Sequence, residues 1–326
     1  MRLPGELWGL TSFYNPAGYA NKLEHLKLFS DRVRSQGLKL LVVELAFGDR
    51  PFEVPPELCD RMVTRRSDSV LWQKERLLNL GLAHLPPECD KVAWLDGDII
   101  FENDAWVEET SSRLDSFVVV QPYELACWLP QGVTTAPPEG FVEGIREGQC
   151  MSGIASKMQA MGEAPGRREI PRKYDEHGHP GFAWAARRTL LEEHGLYDRH
   201  ILGNGDFVMA HAMYGDETVW KRKGMEARKL SPKLLDDIIE WSGRFFASVD
   251  SRVSCTPGRV LHLWHGARAD RGYDRAVPVL SECDFDPNDD LKLDEGGCWM
   301  WDTKKPELHR WATENFAARR EEGDAS

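Results

Sequence analysis

Short apolar runs alternate with amphipathic stretches through the first hundred residues. The stretches from Asn21 to Gly37 and from Val70 to Leu85 carry apolar residues at helical spacing, with Asn21 and then Asp68 or Ser69 as expected N-caps. Three runs are typical of strands buried on both faces: LWGLTSF (7–13), LKLLVVELAF (38–47) and KVAWLDGDIIF (91–101). This β-α-β-α-β order predicts an α/β fold with a mostly parallel, twisted sheet and helices on both faces.

The second half of the chain is less regular. Residues 130–180 are rich in Gly, Pro and charge, which predicts a long functional insertion or mobile loop. Beyond it the pattern predicts a strand and short helix in HPGFAWAARRTLLEEHG, a Gly-rich turn and helix in ILGNGDFVMAHAM, and a strand in RVLHLWHG. The polar end ARREEGDAS is expected to fray. We expect two halves, 1–125 and 126–275, and a C-terminal extension, 276–326.

Composition narrows the function classes. The net charge of −12 excludes a uniformly basic surface, which disfavours non-specific binding to nucleic acid or anionic membranes. The seven cysteines are scattered without a CxxC pair, as in proteins of a reducing compartment. No stretch has the length of a membrane span and no signal-peptide pattern occurs, so a soluble protein without a membrane anchor is expected.

Asp96 and Asp98 stand one residue apart where the apolar run KVAWL ends. Two unpaired carboxylates in a dry site repel each other and take up protons. A hard divalent cation, which prefers oxygen ligands, would keep both charged. In open α/β sheets ligands bind at the carboxyl ends of the strands, which is where this pair is expected to lie.

Lys74 and Asp206 are polar residues in otherwise apolar helical patterns. Lys74 interrupts the apolar stripe of its helix, so its amine either reaches solvent or meets a phosphate or carboxylate. Asp206 follows the glycines of GNGD and opens the next helix. A carboxylate on such a turn is accessible and can serve as a general base, but the pattern equally suits a helix cap.

The segment RVLHLWHGARADR adds imidazole and guanidinium groups. Strand alternation places His262 and His265 on opposite faces. His262 either completes a metal site begun by the Asp pair or occupies an ordinary core position. Arg268 and Arg271 in the next loop either close over phosphates or pair with neighbouring aspartates.

In this order, the motifs resemble those of GT-A type, nucleotide-sugar-dependent glycosyltransferases over residues 7–275. WLDGD resembles their DxD motif, and SFYNP resembles the "YN" segment of family 2 enzymes. ERLLNLGLAHLP is similar to their "ARNxG" helix. GFAWAARRTLLEEHGLYDRHILGNGD resembles the acceptor-side stretch that ends in Gly-Gly-Glu/Asp, and RVLH resembles the "VxH" of the polypeptide GalNAc-transferases.

The resemblance implies a divalent metal, Mn²⁺ or Mg²⁺, and a nucleotide-diphosphate sugar as donor, with a UDP-sugar favoured. It gives Asp206 the position of the catalytic carboxylate, which takes the acceptor's hydroxyl proton if the reaction inverts; whether it inverts or retains stays open. The implied metal ligands are Asp98, His262 and Asp96, of which Asp96 alternatively contacts the donor's ribose. The implied donor-binding residues are Thr11, Tyr14, Asn15, Glu44, Lys74, Arg76, Asp96, Arg268 and Arg271. Phe182 and Trp184 are expected beside the acceptor, with a core position for Trp184 slightly favoured.

The acceptor and the nucleotide stay open. Glu44 stands where relatives have a base-reading Asp. LWQKERLLN, HPGFAWAA and HLWHG also resemble a branch common in bacteriophages and bacteria, some members of which modify hydroxymethylated pyrimidines in DNA. The acceptor is therefore expected to be a glycan, a small-molecule hydroxyl or modified DNA, with the protein in the cytoplasm of a bacterium or phage-infected cell. A non-catalytic sugar- or DNA-binding relative is the alternative. A nucleotidyltransferase is less favoured, because no Gly-rich phosphate loop follows the first strand.

Overall fold

The computed structural model describes residues 3–323 except 138, 163 and 219–229, and omits the side chains of 273–277. The strands are β1 (Glu6–Tyr14), β2 (Lys39–Phe47), β3 (Arg61–Ser67), β4 (Cys89–Leu95), β5 (Ile99–Phe101), β6 (Val119–Gln121), β7 (Leu125–Trp128), β8 (Val142–Glu143), β9 (Gln149–Ser152), β10 (Ala183–Arg187), β11 (Val253–Cys255), β12 (Arg259–His262), β13 (Leu291–Leu293) and β14 (Trp299–Trp301). The α-helices are α1 (Ala20–Ser35), α2 (Lys74–Leu82), α3 (Trp106–Arg113), α4 (Ile154–Ala160), α5 (Tyr174–His177), α6 (Arg188–His194), α7 (Gly205–Tyr214), α8 (Pro232–Val249), α9 (Tyr273–Glu282) and α10 (Pro306–Ala318).

A seven-stranded sheet forms the centre of the molecule, in the order β11-β6-β10-β4-β1-β2-β3. The strands β3, β2, β1 and β4 run parallel, as do β6 and β11. Only β10, among the strands of this sheet, is antiparallel to both of its neighbours. The predicted α/β class with a mostly parallel sheet is confirmed.

Helices cover both faces of the sheet. Alternate side chains of β1 enter two separate apolar clusters, because successive residues of a strand point to opposite faces. Leu10 packs with Leu77 of α2 in one cluster, and Phe13 packs with Phe29 of α1 in the other. The sheet is therefore buried on both sides, which explains the unbroken apolar runs of β1, β2 and β4.

A second, five-stranded sheet in the order β5-β12-β7-β9-β8 lies beside the carboxyl end of β4. Its antiparallel pair β12 and β5 aligns His262 with Ile99. The backbone N–H of Leu263 continues the pairing by donating to the carbonyl of Asp98 at 2.8 Å. This pairing carries the end of β12 to the two aspartates that follow β4.

Three predictions about local structure are wrong. Residues 130–180 are not a loop throughout, because they contain β8, β9, α4 and α5, and Ile154 belongs to the main core. The Pro-rich stretch 50–62 has the pattern of a loop with short irregular segments, but its last two residues begin the edge strand β3, whose exposed charged positions hide its strand character. Helix α2 starts at Lys74, after Asp68 and Ser69, because the Gln73 side chain exchanges two hydrogen bonds with the backbone of Trp299.

The expected frayed end is also wrong over the residues that the structure describes. Arg319 and Glu321 are 7% and 3% exposed. Composition suggested a solvated tail, but the two side chains form an ion pair with each other, and this compensates their burial.

No helix in the described part of the chain is long and apolar enough to cross a membrane. The predicted domain boundaries at 125 and 275 stay predictions, although strands from both sides of residue 125 share the central sheet.

Gly81 lets α2 pack closely on the sheet. A Cβ there would lie 2.5 Å from Leu10 Cδ1 and 2.8 Å from Val43 Cγ2. We expect Gly81→Ala to destabilise the fold by about 1–3 kcal/mol through overpacking. Among described atoms, none lies within 4 Å of a Cβ at Gly243 in α8. Gly243→Ala is therefore the control, with a gain of about 0.5–1 kcal/mol from helix propensity. Urea unfolding measures both; equal effects would contradict the packing argument.

Candidate active site and metal centre

A cavity of about 550 Å³ opens where β1 and β4 end, with the second sheet on its other side. It brings together residues from nine separate parts of the described sequence, from Ser12 to Glu321. Those that the sequence predicted as site residues are Tyr14, Lys74, Asp96, Asp98, Phe182, Asp206, His262, Arg268 and Arg271.

Asp98, His262 and His265 form a compact cluster on the cavity wall. Asp98 Oδ2 lies 3.0 Å from His265 Nε2 and 3.8 Å from His262 Nε2. The two Nε2 atoms are 2.9 Å apart. One ligand atom from each of the three residues lies within 4.8 Å of the others, which is the spacing of a metal site.

These three residues fit a divalent cation. Burial, reinforced by Arg271, lowers the pKa of His265 to about 3, and burial lowers the pKa of His262 well below its usual value. Both imidazoles are therefore neutral and can offer a lone pair. Asp98 Oδ1 is buried without a hydrogen-bond partner among the described residues. Two neutral imidazoles and a carboxylate oxygen without a hydrogen-bond partner among the described residues form a mixed N/O donor set that suits a first-row divalent cation.

His265 was missed as a candidate ligand, and its expected orientation opposite His262 is wrong. Strand β12 ends at His262, so strand alternation does not extend three residues further. The chain turns at Leu263 and Trp264 and brings the second imidazole back beside the first. The short strand could not be recognised from the apolar run HLWH.

Lys74 meets two of the predicted acids. Its Nζ lies 2.6 Å from Asp96 Oδ1 and 3.1 Å from Asp206 Oδ2. Burial would lower the pKa of Lys74, but the two carboxylates raise it well above its usual value. Of the two interpretations of Lys74, the buried cation that meets carboxylates is correct in this structure. Asp96 therefore has an amine partner, whereas Asp98 faces the imidazoles.

Glu75, the next residue on α2, is a further buried acid that the sequence analysis missed. Trp72 Nε1 donates to Glu75 Oε2 at 3.2 Å, and a Cβ at Gly205 would overlap Glu75 Oε1. Burial raises the pKa of Glu75 to about 8, with Lys74 opposing this shift. Glu75 thus packs beneath the Gly-rich turn that carries Asp206.

Phe182 has a φ of 73°, a left-handed conformation that is strained for an aromatic residue. Hydrogen bonds to the carbonyls of Phe182 and Gly181 hold it there: the N–H of Asp96 donates to the first at 2.8 Å, and the Tyr123 hydroxyl to the second at 2.6 Å. The ring consequently stacks on His262, with centroids 4.5 Å apart and planes at 12°.

Thr11 and Glu44, predicted to bind the donor, lie inside the sheet. The Thr11 hydroxyl donates to the carbonyl of Leu95 at 2.8 Å, linking β1 to β4. Glu44 accepts hydrogen bonds from the backbone N–H groups of Glu53 and Val54, and thereby holds the loop after β2. Both side chains have a structural role in this arrangement.

Asn15, Arg76 and Trp184 also have partners elsewhere. Asn15 Oδ1 accepts from the N–H of Tyr19 at 2.9 Å and shapes the loop after β1. Arg76 pairs with Asp198 at 3.2 Å beside a different cavity. Trp184 is fully buried in the core, the position that the sequence slightly favoured.

The C-terminal residues Phe316, Arg319 and Glu321 also line the cavity. Phe316 stacks on Trp72 with planes at 8°, and Arg319 lies over the same indole at 5.4 Å. No sequence signal marked these residues, because a contact between segments so far apart leaves no local periodicity.

No protein-family model and no curated protein matches the sequence. Solved structures similar to the chain include glucosyl-3-phosphoglycerate synthase of Mycobacterium tuberculosis with Mn²⁺, UDP-glucose and phosphoglyceric acid (13% identity, 89% of this chain and 83% of that chain, TM-score 0.41). A second is the catalytic domain of Drosophila β1,4-galactosyltransferase 7 with xylobiose (12%, 94% and 98%, 0.40).

A third is 4-diphosphocytidyl-2C-methyl-D-erythritol synthase of Anaerococcus prevotii (11% identity, 86% of this chain and 98% of that chain, TM-score 0.34). The first two carry names from the class that the sequence motifs resemble, and the third does not. With scores this low, the three matches assign no activity to this chain.

The geometry predicts that Asp98 contributes more to metal binding than Asp96 does. Asp98→Asn removes a charged ligand beside two imidazoles, so we expect the Kd for Mn²⁺ to rise at least tenfold. Asp96→Asn changes a partner of Lys74, and we expect a smaller rise. Titration followed by the EPR signal of free Mn²⁺ measures both, with the exposed Asp104→Asn as control. An equal rise of the Kd in the two variants would indicate that Asp96 is a metal ligand too.

Glu75 should make stability pH-dependent. Its pKa of about 8 in the folded state lies above the usual 4.5, so unfolding releases a proton between these values. The wild type therefore loses stability from this group as pH rises from about 4.5 to 8. Glu75→Gln removes this pH-dependent loss. The free energy of unfolding of the variant, relative to that of wild type, should therefore be higher at pH 8 than at pH 5. Urea unfolding at both pH values measures the gain; a constant difference would contradict it.

Proposed function

We propose that this protein is a metal-dependent glycosyltransferase that moves a sugar from a nucleotide-diphosphate sugar, with a UDP-sugar favoured, to an acceptor hydroxyl. The observation that carries the proposal is that Asp98, His262 and His265 share one cavity with Asp206, within a βα scaffold whose strand ends meet there. The motifs that resemble GT-A glycosyltransferases supply several of these residues, in the expected order.

The metal would be held by Asp98, His262 and His265. When bound, it would supply positive charge that stabilises the leaving diphosphate. Arg268 and Arg271 line the same cavity, and their guanidinium groups suit the phosphate oxygens of the donor. Lys22 and Lys74 also line the cavity, but Lys22 lies 3.8 Å from Glu321 and Lys74 contacts Asp96 and Asp206. The positive charge that meets an anionic donor is therefore proposed to come from the two arginines and the metal.

Asp206 is the proposed general base. It sits in the first turn of α7, after the left-handed Asn204, and its carboxylate borders the cavity. Lys74 contacts both of its oxygens, at 3.1 and 3.3 Å, and thereby fixes the orientation of the carboxylate. A hydroxyl placed against Asp206 can pass its proton to the carboxylate as it attacks the sugar's anomeric carbon.

The acceptor side is proposed to include Phe182, whose ring lines the cavity. Because this ring is 7% exposed and stacked on His262, it can offer an acceptor only its small exposed apolar part. Glycans, small molecules and hydroxymethylated pyrimidines in DNA all present a suitable hydroxyl and stay candidate acceptors. A DNA acceptor would also need basic groups for its phosphates, and the segment 166–173 is rich in them. Two of these groups already have partners within the protein, because Arg167 pairs with Glu217 and Arg168 donates to the carbonyl of Met158.

A screen of UDP- and GDP-sugars by thermal shift, with and without Mn²⁺, tests the proposal. A donor that binds the native state raises the melting temperature, and the rise grows with the fraction of the protein that has donor bound. A shift that needs both nucleotide-sugar and Mn²⁺ supports the proposal, and no shift with any donor opposes it. Release of nucleoside diphosphate from the donor distinguishes an enzyme from a sugar-binding relative. Release of pyrophosphate from a nucleoside triphosphate would indicate a nucleotidyltransferase.

Asp206→Asn should remove the base without removing the donor site. Because a positioned general base contributes about 10²–10⁴-fold, we expect the release of UDP from the best donor, with water as acceptor, to fall at least 100-fold. Donor binding with Mn²⁺, followed by thermal shift, should be retained. The exposed Asp236→Asn in α8 is the control. Unchanged UDP release in the Asp206 variant would assign the base elsewhere.

A further inference from the structure

The last described residues of the chain dock against the segment that follows β12 and carries His265. Gly266, next to His265, has a φ of +95°, and a Cβ there would overlap the carbonyl oxygen of Arg319. The Gln131 side chain donates to the carbonyl of Glu322 at 3.2 Å. The Tyr19 hydroxyl donates to the carbonyl of Ala317 at 2.7 Å. Residues 317–322 are therefore held against the cavity at several separate points.

This docking buries the carboxylate of Glu321 beside the metal centre. Glu321 Oε1 accepts from Arg319 Nε at 2.7 Å and lies 3.8 Å from His265 Nδ1. Glu321 Oε2 lies 3.8 Å from Lys22 Nζ. The Glu321 carboxylate, paired with Arg319 and close to Lys22, therefore faces the edge of His265 away from Asp98.

His265 thus lies between two carboxylates with opposite demands on its single ring proton. A proton on Nε2 would be donated to Asp98, 3.0 Å away, and would remove the lone pair that a metal needs. A proton on Nδ1 is attracted by Glu321 and leaves Nε2 free. Carboxylates that contact the second nitrogen of a ligating histidine orient the ring and raise its basicity.

We propose that Glu321 is a positioning residue for the metal centre, holding His265 with its proton on Nδ1 so that Nε2 joins Asp98 and His262 around a divalent cation. This inference rests on the metal dependence of the proposed function. It assigns a role to the last described turn of the chain, which the sequence analysis expected to be frayed.

The test is the affinity for Mn²⁺ alone, measured by the EPR signal of free Mn²⁺ in wild type and in Glu321→Gln. Loss of the carboxylate should raise the Kd for Mn²⁺ about tenfold or more. The matched control is the exposed Glu314→Gln in α10, for which we expect a Kd within twofold of wild type. Melting temperatures in EDTA show whether each variant folds. If Glu321→Gln melts below the assay temperature, Glu321→Asp replaces it, and a smaller but measurable rise in the Kd is expected.

A double-mutant cycle separates positioning from general electrostatics. In a His265→Gln background, Glu321→Gln should change the Kd by less than twofold, because the ring on which it acts is gone. The same fold-change in both backgrounds, or no change in the wild-type background, overturns the inference. If wild type binds no Mn²⁺, the metal dependence fails as well. If wild type binds Mn²⁺ and the Glu321→Gln affinity is unchanged, only the role of Glu321 is wrong.

Discussion

The site depends on one electrostatic constraint, which is that several partly or fully buried carboxyl groups lie together where β4 ends. Asp96 and Asp206 share the amine of Lys74, and Asp98 faces two imidazoles. For Glu75 and Asp96, burial also favours the protonated form and raises the pKa. Because like charges interact strongly at low dielectric, losing any one partner would redistribute protons among the others. A metal ion bound beside Asp98 would likewise balance the negative charge of an anionic ligand.

The central fold could be predicted from the sequence because its strands are buried on both faces and therefore read as unbroken apolar runs. The same reasoning located Asp96 and Asp98, which stand at the end of such a run, and Asp206, which follows a Gly-rich turn. These residues do share one cavity in the structure.

The remaining features depend on contacts between distant segments. The edge strand β3 has exposed charged positions and pairs only with β2 among the described strands, so its pattern is that of a loop. His265 reaches His262 because β12 is short, and its length is set by pairing with β5 and β7. Glu321 is buried through partners almost three hundred positions away in the sequence, such as Lys22. None of these contacts has a local sequence pattern.

The strained backbone at Phe182 has a consequence for communication across the cavity. Its ring contacts both His179, at a centroid distance of 4.1 Å, and His262, at 4.5 Å. The hydrogen bonds around Gly181 and Phe182 leave this ring little freedom to yield. Under the proposed function, an acceptor that displaced this ring would also displace His262, a proposed metal ligand. The shape of the acceptor and the position of the metal would then be coupled through a single phenyl group.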